Sequence, residues 1–92
     1  MTKAAKRYKV KVTVKRVTKD ECPAENKAGD YWIIDKTTPA GMCLAAFECL
    51  SPVIRTLSAG GEFVWQKDPD VVEIGCPDPE RVVVYEVRRL RE

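Results

Sequence analysis

The chain has 92 residues, of which 45% are hydrophobic and 33% are charged, and this length and composition fit one small globular domain. No apolar run approaches the roughly 20 residues that a membrane-spanning helix needs, and no apolar segment follows the basic N-terminus as it does in a secretory signal. We therefore expect a single cytoplasmic domain over residues 1–92, with a disordered basic N-terminus at residues 1–6 and thiols that are reduced by default.

The net charge is only +2, but the charges are segregated along the chain. Residues 1–19 carry eight basic side chains and no acidic one. Residues 20–86 carry thirteen acidic and five basic side chains, a net charge of −8, and residues 87–92 add three arginines and one glutamate. If the strands from the two ends of the chain pair with each other, one part of the surface is positive.

Residues 8–17 alternate between apolar side chains and mostly cationic ones. A period of two with β-branched residues predicts a strand that has one buried face and one solvated, cationic face. Because lysines oppose pairing between chains, we expect these lysines to protect an edge strand of the sheet.

The middle of the chain predicts a short strand followed by a helix. Residues 18–30 form a connection, residues 31–35 predict the second strand, and residues 37–41 form the loop into the helix. Apolar residues at spacings of three and four predict a helix from about Met42 to Ser58. Pro52 removes a backbone donor inside it, so we expect a kink or a break into two short helices.

The last third of the chain predicts a β-hairpin. Gly60-Gly61 ends the helix, and residues 63–65 are either a short strand or an aromatic plug. Strands over residues 71–76 and 81–90 flank a Pro-Asp-Pro turn. The predicted fold class is α+β, with a single small antiparallel sheet of about four strands packed against one Pro-kinked helix. The predicted core consists of Tyr8, Val10, Val12, Leu50, Ile54, Leu57, Ile74 and Val84.

Several short motifs occur in a characteristic order and spacing along the chain. They are Cys22-Pro23, Gly29-Asp30, Gly41-Met42-Cys43, Pro52, Cys76-Pro77-Asp78-Pro79 and Arg88-Arg89. In these features the chain resembles a family of short bacterial and archaeal conserved hypothetical proteins. The resemblance covers nearly the whole chain and implies a stand-alone small domain, without an established activity.

The cysteines form the first candidate site. Cys43 lies in the first turn of the predicted helix, where unpaired N–H groups and the helix dipole favour a thiolate. Cys22 and Cys76 each follow a predicted strand, so the three thiols converge if the first and third strands run the same way. They are candidate ligands for zinc or an iron–sulfur cluster, with Asp78, Asp30 or water as the fourth ligand. Cys49 points about 120° from Cys43 on an ideal helix and is given less weight.

Two other interpretations of the cysteines remain open. Each cysteine is a small buried hydrophobe in the interpretation that the sequence favours, because the chain has no Cys-x-x-Cys pair and no histidine. In the other, Cys43 is a reactive or redox thiol that Cys22 or Cys76 resolves.

The basic strand faces form the second candidate site. Phosphate contacts could come from Lys9, Lys11, Lys15, Arg88 and Arg91. Against this interpretation, the first strand offers no exposed aromatic side chain for stacking, and the acidic middle of the chain repels a polyanion. We therefore favour a solvated strand face and do not expect a nucleic-acid partner.

The large side chains and the lack of histidine complete the functional prediction. Trp32, Met42, Phe63 and Trp65 are either core residues or a docking surface for a protein partner or a second copy. Without histidine the usual near-neutral general base is missing. We predict a small binding or accessory domain that is not an enzyme and has no membrane partner, with a thiol-reactive protein and a nucleic-acid-binding module as the alternatives.

Overall fold

The computed structural model describes residues 7–17, 28–75 and 83–91. The predicted disordered N-terminus at residues 1–6 lies outside these ranges. No helix among the described residues is long and apolar enough to cross a membrane.

Within these residues the chain forms four strands and one helix: β1 (Lys9–Val17), β2 (Tyr31–Ile34), α1 (Leu44–Ser58), β3 (Val71–Gly75) and β4 (Val83–Leu90). The strands lie in the order β2-β1-β4-β3, and each neighbouring pair is antiparallel. The predicted α+β class is therefore confirmed. The strands from the two ends of the chain also pair as required for a positive surface, since β1 lies beside β4.

β1 lies inside the sheet and is hydrogen-bonded to β2 on one side and to β4 on the other. The expectation that its lysines protect an edge strand is therefore wrong. An internal strand has no free edge to protect, so the row of lysines on β1 needs another explanation.

The core lies between one sheet face and α1. Alternation along β1 and β4 turns every second side chain towards the helix, so Val12 packs beside Val87 and Val14 beside Tyr85. The prediction that Val84 is in the core is wrong, because its neighbours in β4 face the helix and a shift of one residue reverses the face. The buried apolar side chains are Val10, Val12, Val14, Ile34, Ala46, Leu50, Ile54, Leu57, Val72, Val83, Tyr85 and Val87.

α1 is one continuous helix with Pro52 inside it, so of the two alternatives expected at Pro52, a kink or a break, the break does not occur. The helix begins at Leu44, two residues later than predicted. Pro52 is exposed on the solvent side, where water can satisfy the carbonyl that the proline leaves without a donor. At the C-terminal end the N–H of Gly60 donates to Leu57 O at 3.1 Å, and Gly60 has a φ of 93°, the left-handed conformation that glycine adopts readily.

Residues 63–65 form a turn and not a strand. The N–H of Gln66 donates to Phe63 O at 3.0 Å, which closes the turn. Phe63 packs against the core, whereas Val64 and Trp65 are exposed at the tip.

A buried arginine joins the C-terminal end of α1 to the sheet. Arg89 is only 3% exposed, and its Nε donates to Asp70 Oδ1 at 2.9 Å. Its Nη1 donates to Leu57 O at 3.2 Å and to Gly61 O at 2.8 Å, and its Nη2 donates to Pro69 O at 2.9 Å. We call this set of contacts the Arg89 clamp. It connects β4, the last turn of α1 and the turn before β3 through one guanidinium group.

Two further side chains support the clamp. Arg91 Nε donates to the same Asp70 oxygen at 2.7 Å. The ring of Tyr8 lies beneath both cations, with its centroid 5.4 Å from Arg89 Cζ and 5.5 Å from Arg91 Cζ. The planar, delocalised guanidinium suits this arrangement because it makes several hydrogen bonds in fixed directions and also packs on an aromatic ring.

We expect Arg89→Ala to lower the free energy of unfolding by about 3 kcal/mol, because the change removes the buried donor of three carbonyls and leaves the Asp70 carboxylate with Arg91 as its remaining arginine partner. Arg89→Lys should also be clearly destabilising, because a lysine ammonium cannot make the several hydrogen bonds in fixed directions that the planar guanidinium of Arg89 makes. Urea denaturation measures both. Arg91→Ala is the control, because it removes an exposed partner of the same carboxylate. An Arg89→Ala variant that is no less stable than Arg91→Ala would show that the clamp is unimportant.

The pKa of Asp70 should make stability depend on pH. Partial desolvation raises it, but the hydrogen bonds from Arg89 and Arg91 outweigh that effect, and the pKa lies below its usual value. A carboxylate whose pKa is lower in the folded state contributes stability above the unfolded-state value of about 3.9, and this contribution is lost as the pH falls through the folded-state value. Urea midpoints should therefore fall less steeply below about pH 4 in Asp70→Asn than in the wild type. Glu62→Gln, which alters an exposed carboxylate, should keep the wild-type slope; equal slopes for all three proteins would contradict the assignment.

Candidate functional site

The side chains on the sheet face opposite α1 are all exposed or half-buried. We call this surface the open face. Its residues follow from the strand register, since partners in neighbouring strands point to the same side. They are Lys9, Lys11, Thr13, Lys15 and Arg16 of β1, Tyr31 and Ile33 of β2, Val84, Glu86, Arg88 and Leu90 of β4, and Val71 and Glu73 of β3.

A bulge in β1 places two consecutive basic side chains on the open face. Val14 pairs with Tyr85 and Arg16 with Val84, so Lys15 is an extra residue between them. Arg16 shares the side of Val84, and the ammonium of Lys15 contacts Glu73 on the same side. If the side chains of β1 alternated strictly, one of these two cations would face the core.

Positive charge predominates on the open face, where five basic and two acidic side chains give a net charge of +3. Both acids are already paired: Glu73 with Lys15, and Glu86 with Arg88 at 3.2 Å. The hydrogen bond from Lys15 holds the pKa of Glu73 below its usual value, against an opposing effect of desolvation. In the described part of the chain, the remaining cations of this face, Lys9, Lys11 and Arg16, form no ion pair with a carboxylate, although the charge of Arg16 also helps to lower the pKa of Glu73.

Two of the basic side chains lie directly opposite each other. Lys11 pairs with Arg88 across β1 and β4, and like charges in opposing positions destabilise a sheet. On its other side, the Lys11 ammonium lies 4.6 Å from the centroid of the Tyr31 ring. The sheet therefore places two cations in opposing positions and an aromatic ring side by side on one surface.

Tyr31 is the aromatic side chain that the sequence analysis did not find on this face. It pairs with Thr13 and is 58% exposed. The prediction examined β1 alone and assigned the aromatic residues to the acidic middle of the chain. The alternation of side chains within β2 could have placed Tyr31 on this face. Trp32 and Ile34 pack towards the core, so Tyr31 and Ile33 must lie on the opposite face of the sheet.

The structure brings four of the five predicted phosphate-binding residues together on the open face, namely Lys9, Lys11, Lys15 and Arg88. Arg91 lies elsewhere. It follows β4 on the side of Arg89, and its hydrogen bond with Asp70 raises its pKa. Arg16, which was not predicted, takes a place on the face through the bulge.

The candidate metal ligands Cys22, Cys76 and Asp78 lie outside the described residues. Cys43 is the N-cap residue of α1 and is half-buried, and its side chain makes no capping hydrogen bond. Its carbonyl accepts the N–H of Phe47 at 2.9 Å, so the backbone and not the sulfur starts the helix.

The strand geometry that the metal hypothesis requires is present. β1 and β3 are both antiparallel to β4 and therefore run the same way. Cys49, which was given less weight, lies on the helix at the end of β3, where its Sγ is 3.9 Å from Gly75 O and donates to Ala46 O at 3.3 Å. Over the described ranges, no three cysteine or acidic side chains are grouped as metal ligands would be.

The four predicted docking residues differ in exposure. Trp32, Met42 and Phe63 pack against the core, and Trp32 Nε1 donates to Ala40 O at 3.0 Å. Trp65 is 68% exposed and its ring centroid is 5.1 Å from that of Phe63. Docking of a protein partner or a second copy at these residues stays a prediction.

Comparisons of the chain with protein-family models, with curated proteins and with solved structures find no match. The resemblance to the family of short conserved hypothetical proteins therefore stays a prediction, and the functional argument depends on the geometry of the chain itself.

We expect a double-mutant cycle to measure repulsion between Lys11 and Arg88. The variants are Lys11→Thr, Arg88→Thr and the double substitution, and the coupling should be unfavourable by about 0.5 kcal/mol at low ionic strength. It should vanish in about 1 M salt, where the Debye length is roughly 3 Å. A parallel cycle on Lys15 and Glu73 should give a coupling of opposite sign. A favourable coupling between Lys11 and Arg88 would contradict the description of this face.

Proposed function

We propose that this domain binds single-stranded nucleic acid on its open face. The observation that carries the proposal is the opposed pair of Lys11 and Arg88 beside the exposed ring of Tyr31. Two cations in opposing positions at the centre of an uncovered face concentrate positive charge there, and a polyanion that binds across the face would be attracted to it.

Electrostatics support a phosphate backbone as the ligand. Lys9, Lys11 and Arg16 lie along the internal strand β1, and none of them forms an ion pair with a carboxylate among the described residues. Each basic side chain that contacts a phosphate releases condensed counterions, so binding by such a row should weaken steeply as salt is added. This role also accounts for lysines on a strand whose two edges are already paired.

Tyr31 supports a single strand with unpaired bases. An exposed aromatic ring stacks on any base, and one stacked base contributes about 1–3 kcal/mol. Ile33 extends the apolar surface next to the ring, and the Thr13 hydroxyl is available as a hydrogen-bond partner. This is a platform for stacking and phosphate contacts with little sequence preference.

The width of the sheet also favours a single strand over a duplex. Three strand spacings of about 4.8 Å make the face about 14 Å wide between the outer strand axes, before side chains are counted. The major groove of B-form DNA is about 12 Å wide and admits a two-stranded ribbon. A four-stranded face is therefore too wide to enter the groove, but it can bind a flexible strand across its surface.

Under this proposal the domain is a non-catalytic binding module of the cytoplasm. The whole chain lacks histidine, the side chain that most often serves as a general base near neutral pH. The open face presents cations, one aromatic ring and two carboxylates that are already in ion pairs. These groups suit the binding of a nucleic-acid strand and not its cleavage.

Fluorescence anisotropy with a labelled single strand of about ten nucleotides, without a terminal phosphate, tests the proposal. We expect Tyr31→Ala and Lys11→Glu each to weaken binding at least about tenfold, a loss of about 1.4 kcal/mol. RNA and DNA strands should both bind, and the affinity should fall with salt.

The matched controls for this experiment are Trp65→Ala, which removes an exposed aromatic ring, and Lys67→Glu, which reverses an exposed lysine charge, both at positions outside the sheet. Both should keep the wild-type affinity. The proposal is wrong if the wild type does not bind either strand, or if the control variants lose as much affinity as the variants of the open face.

A cysteine-based zinc or iron–sulfur site is the second candidate function. What favours it is the common direction of β1 and β3, together with the position of the N-terminal half of α1 next to Gly75, the residue before Cys76 in the sequence. Thiolate ligands select zinc and iron–sulfur clusters.

Metal analysis and an absorbance scan of the protein, purified without added ions, test this second candidate. Bound zinc or cluster absorbance that is lost in Cys43→Ser and retained in Lys67→Glu would support it. Metal-free protein would exclude it, and alkylation of Cys43 faster than a free peptide thiol would then favour the reactive-thiol alternative.

A further inference from the structure

A groove on the opposite side of the domain from the open face contains a second group of unpaired cations. It lies between the loop after β2 and the flank of α1 that carries Phe47, Ser51 and Ile54, and it has a volume of about 260 Å³. We call it the helix groove. Its lining residues are Arg7, Ile34, Asp35, Lys36, Thr37, Thr38, Phe47, Ser51, Ile54, Arg55 and Ser58.

Backbone contacts hold Arg7 at the mouth of this groove. The N–H of Tyr8 donates to Ser58 O at 3.0 Å, which attaches the segment before β1 to the end of the helix. The Arg7 side chain donates from Nη2 to Asp35 O at 3.1 Å. Because this partner is a neutral carbonyl, the charge of Arg7 is oriented without being neutralised.

The lining is cationic overall. Arg7, Lys36 and Arg55 contribute three positive charges, and the carboxylate of Asp35 contributes one negative charge. In the described part of the chain none of the three cations is in an ion pair. Arg55 lies in the last turn of α1, where the helix dipole contributes about half a negative charge. Even with that contribution, the groove attracts anions.

The other lining groups indicate what kind of anion fits. Hydroxyl groups of Thr37, Thr38 and Ser51 can donate hydrogen bonds to its oxygens. The floor is formed by Phe47 and Ile54 and is apolar, which suits an organic group attached to the anion.

We propose that the helix groove binds a phosphate monoester of a small organic molecule. Such an ester carries about −1.5 to −2 charges at neutral pH and three acceptor oxygens, which match the two guanidinium groups, the ammonium and the hydroxyls. Its organic part lies on the apolar floor. The groove is smaller than the roughly 300–1,000 Å³ of drug-sized pockets, so the organic part is about the size of one sugar or one aromatic ring.

Isothermal titration calorimetry with phenyl phosphate, inorganic phosphate and phenol tests this proposal. Phenyl phosphate should bind saturably, inorganic phosphate should bind more weakly, and phenol should not bind, because both the anion and the apolar floor contribute. Arg7→Gln and Arg55→Gln should each weaken phenyl phosphate binding at least about tenfold, the effect expected for loss of a charged hydrogen-bond donor.

Arg16→Gln is the matched control, since it removes the same charge from the open face and should leave phenyl phosphate binding unchanged. Lys36→Gln, at an exposed loop position, replaces Arg55→Gln if the helix variant does not fold. The proposal is overturned if no saturable binding occurs up to about 10 mM, or if Arg16→Gln weakens binding as much as the groove variants. Binding of an unphosphorylated oligonucleotide should be unaffected by Arg55→Gln, so this inference and the proposed function of the open face can fail separately.

Discussion

The whole arrangement depends on one buried guanidinium group. Arg89 lies within the protein at the end of β4, where leaving a charge without partners would be very costly. Its donors are satisfied by Asp70 and by the carbonyls of Leu57, Gly61 and Pro69. These acceptors belong to the end of α1 and to the turn before β3. The contacts of Arg89 therefore fix the positions of both segments relative to β4.

The clamp has a consequence for the two faces of the sheet. It holds α1 against the side of Val12, Val14 and Val87, and this single helix buries that side. The opposite side keeps its exposed lysines, Arg88 and Tyr31. The strand at the centre of this open face, β1, is hydrogen-bonded on both edges. Packing on the other side of the sheet stabilises β1 and β4, which carry the opposed cations Lys11 and Arg88.

Local patterns in the sequence predicted the strands and the helix, but they did not predict every contact between these elements. The alternation of residues 8–17 and the helical spacing after Met42 each describe one element, and both elements form. Tyr31 was missed because its place on the open face depends on pairing between β1 and β2, which lie far apart in sequence. Arg89 was missed because a charged residue is rarely buried, although Val83, Tyr85 and Val87 precede it at a period of two. Of the predicted cysteine site, only Cys43 lies within the described residues.

The two proposals assign the same chemistry to the open face and to the helix groove, for different ligands. Each combines basic side chains that form no ion pair within the described residues with an apolar or aromatic surface, but the first is a four-stranded sheet face and the second is a small groove. The central claim concerns the open face, and amide shifts of the ¹⁵N-labelled protein on titration with a short unphosphorylated single strand test it most directly. The account predicts that the largest shifts occur along β1, β2 and β4 around Lys11, Tyr31 and Arg88. Shifts confined to α1 and its flanking loops, or no shifts at all, would contradict it.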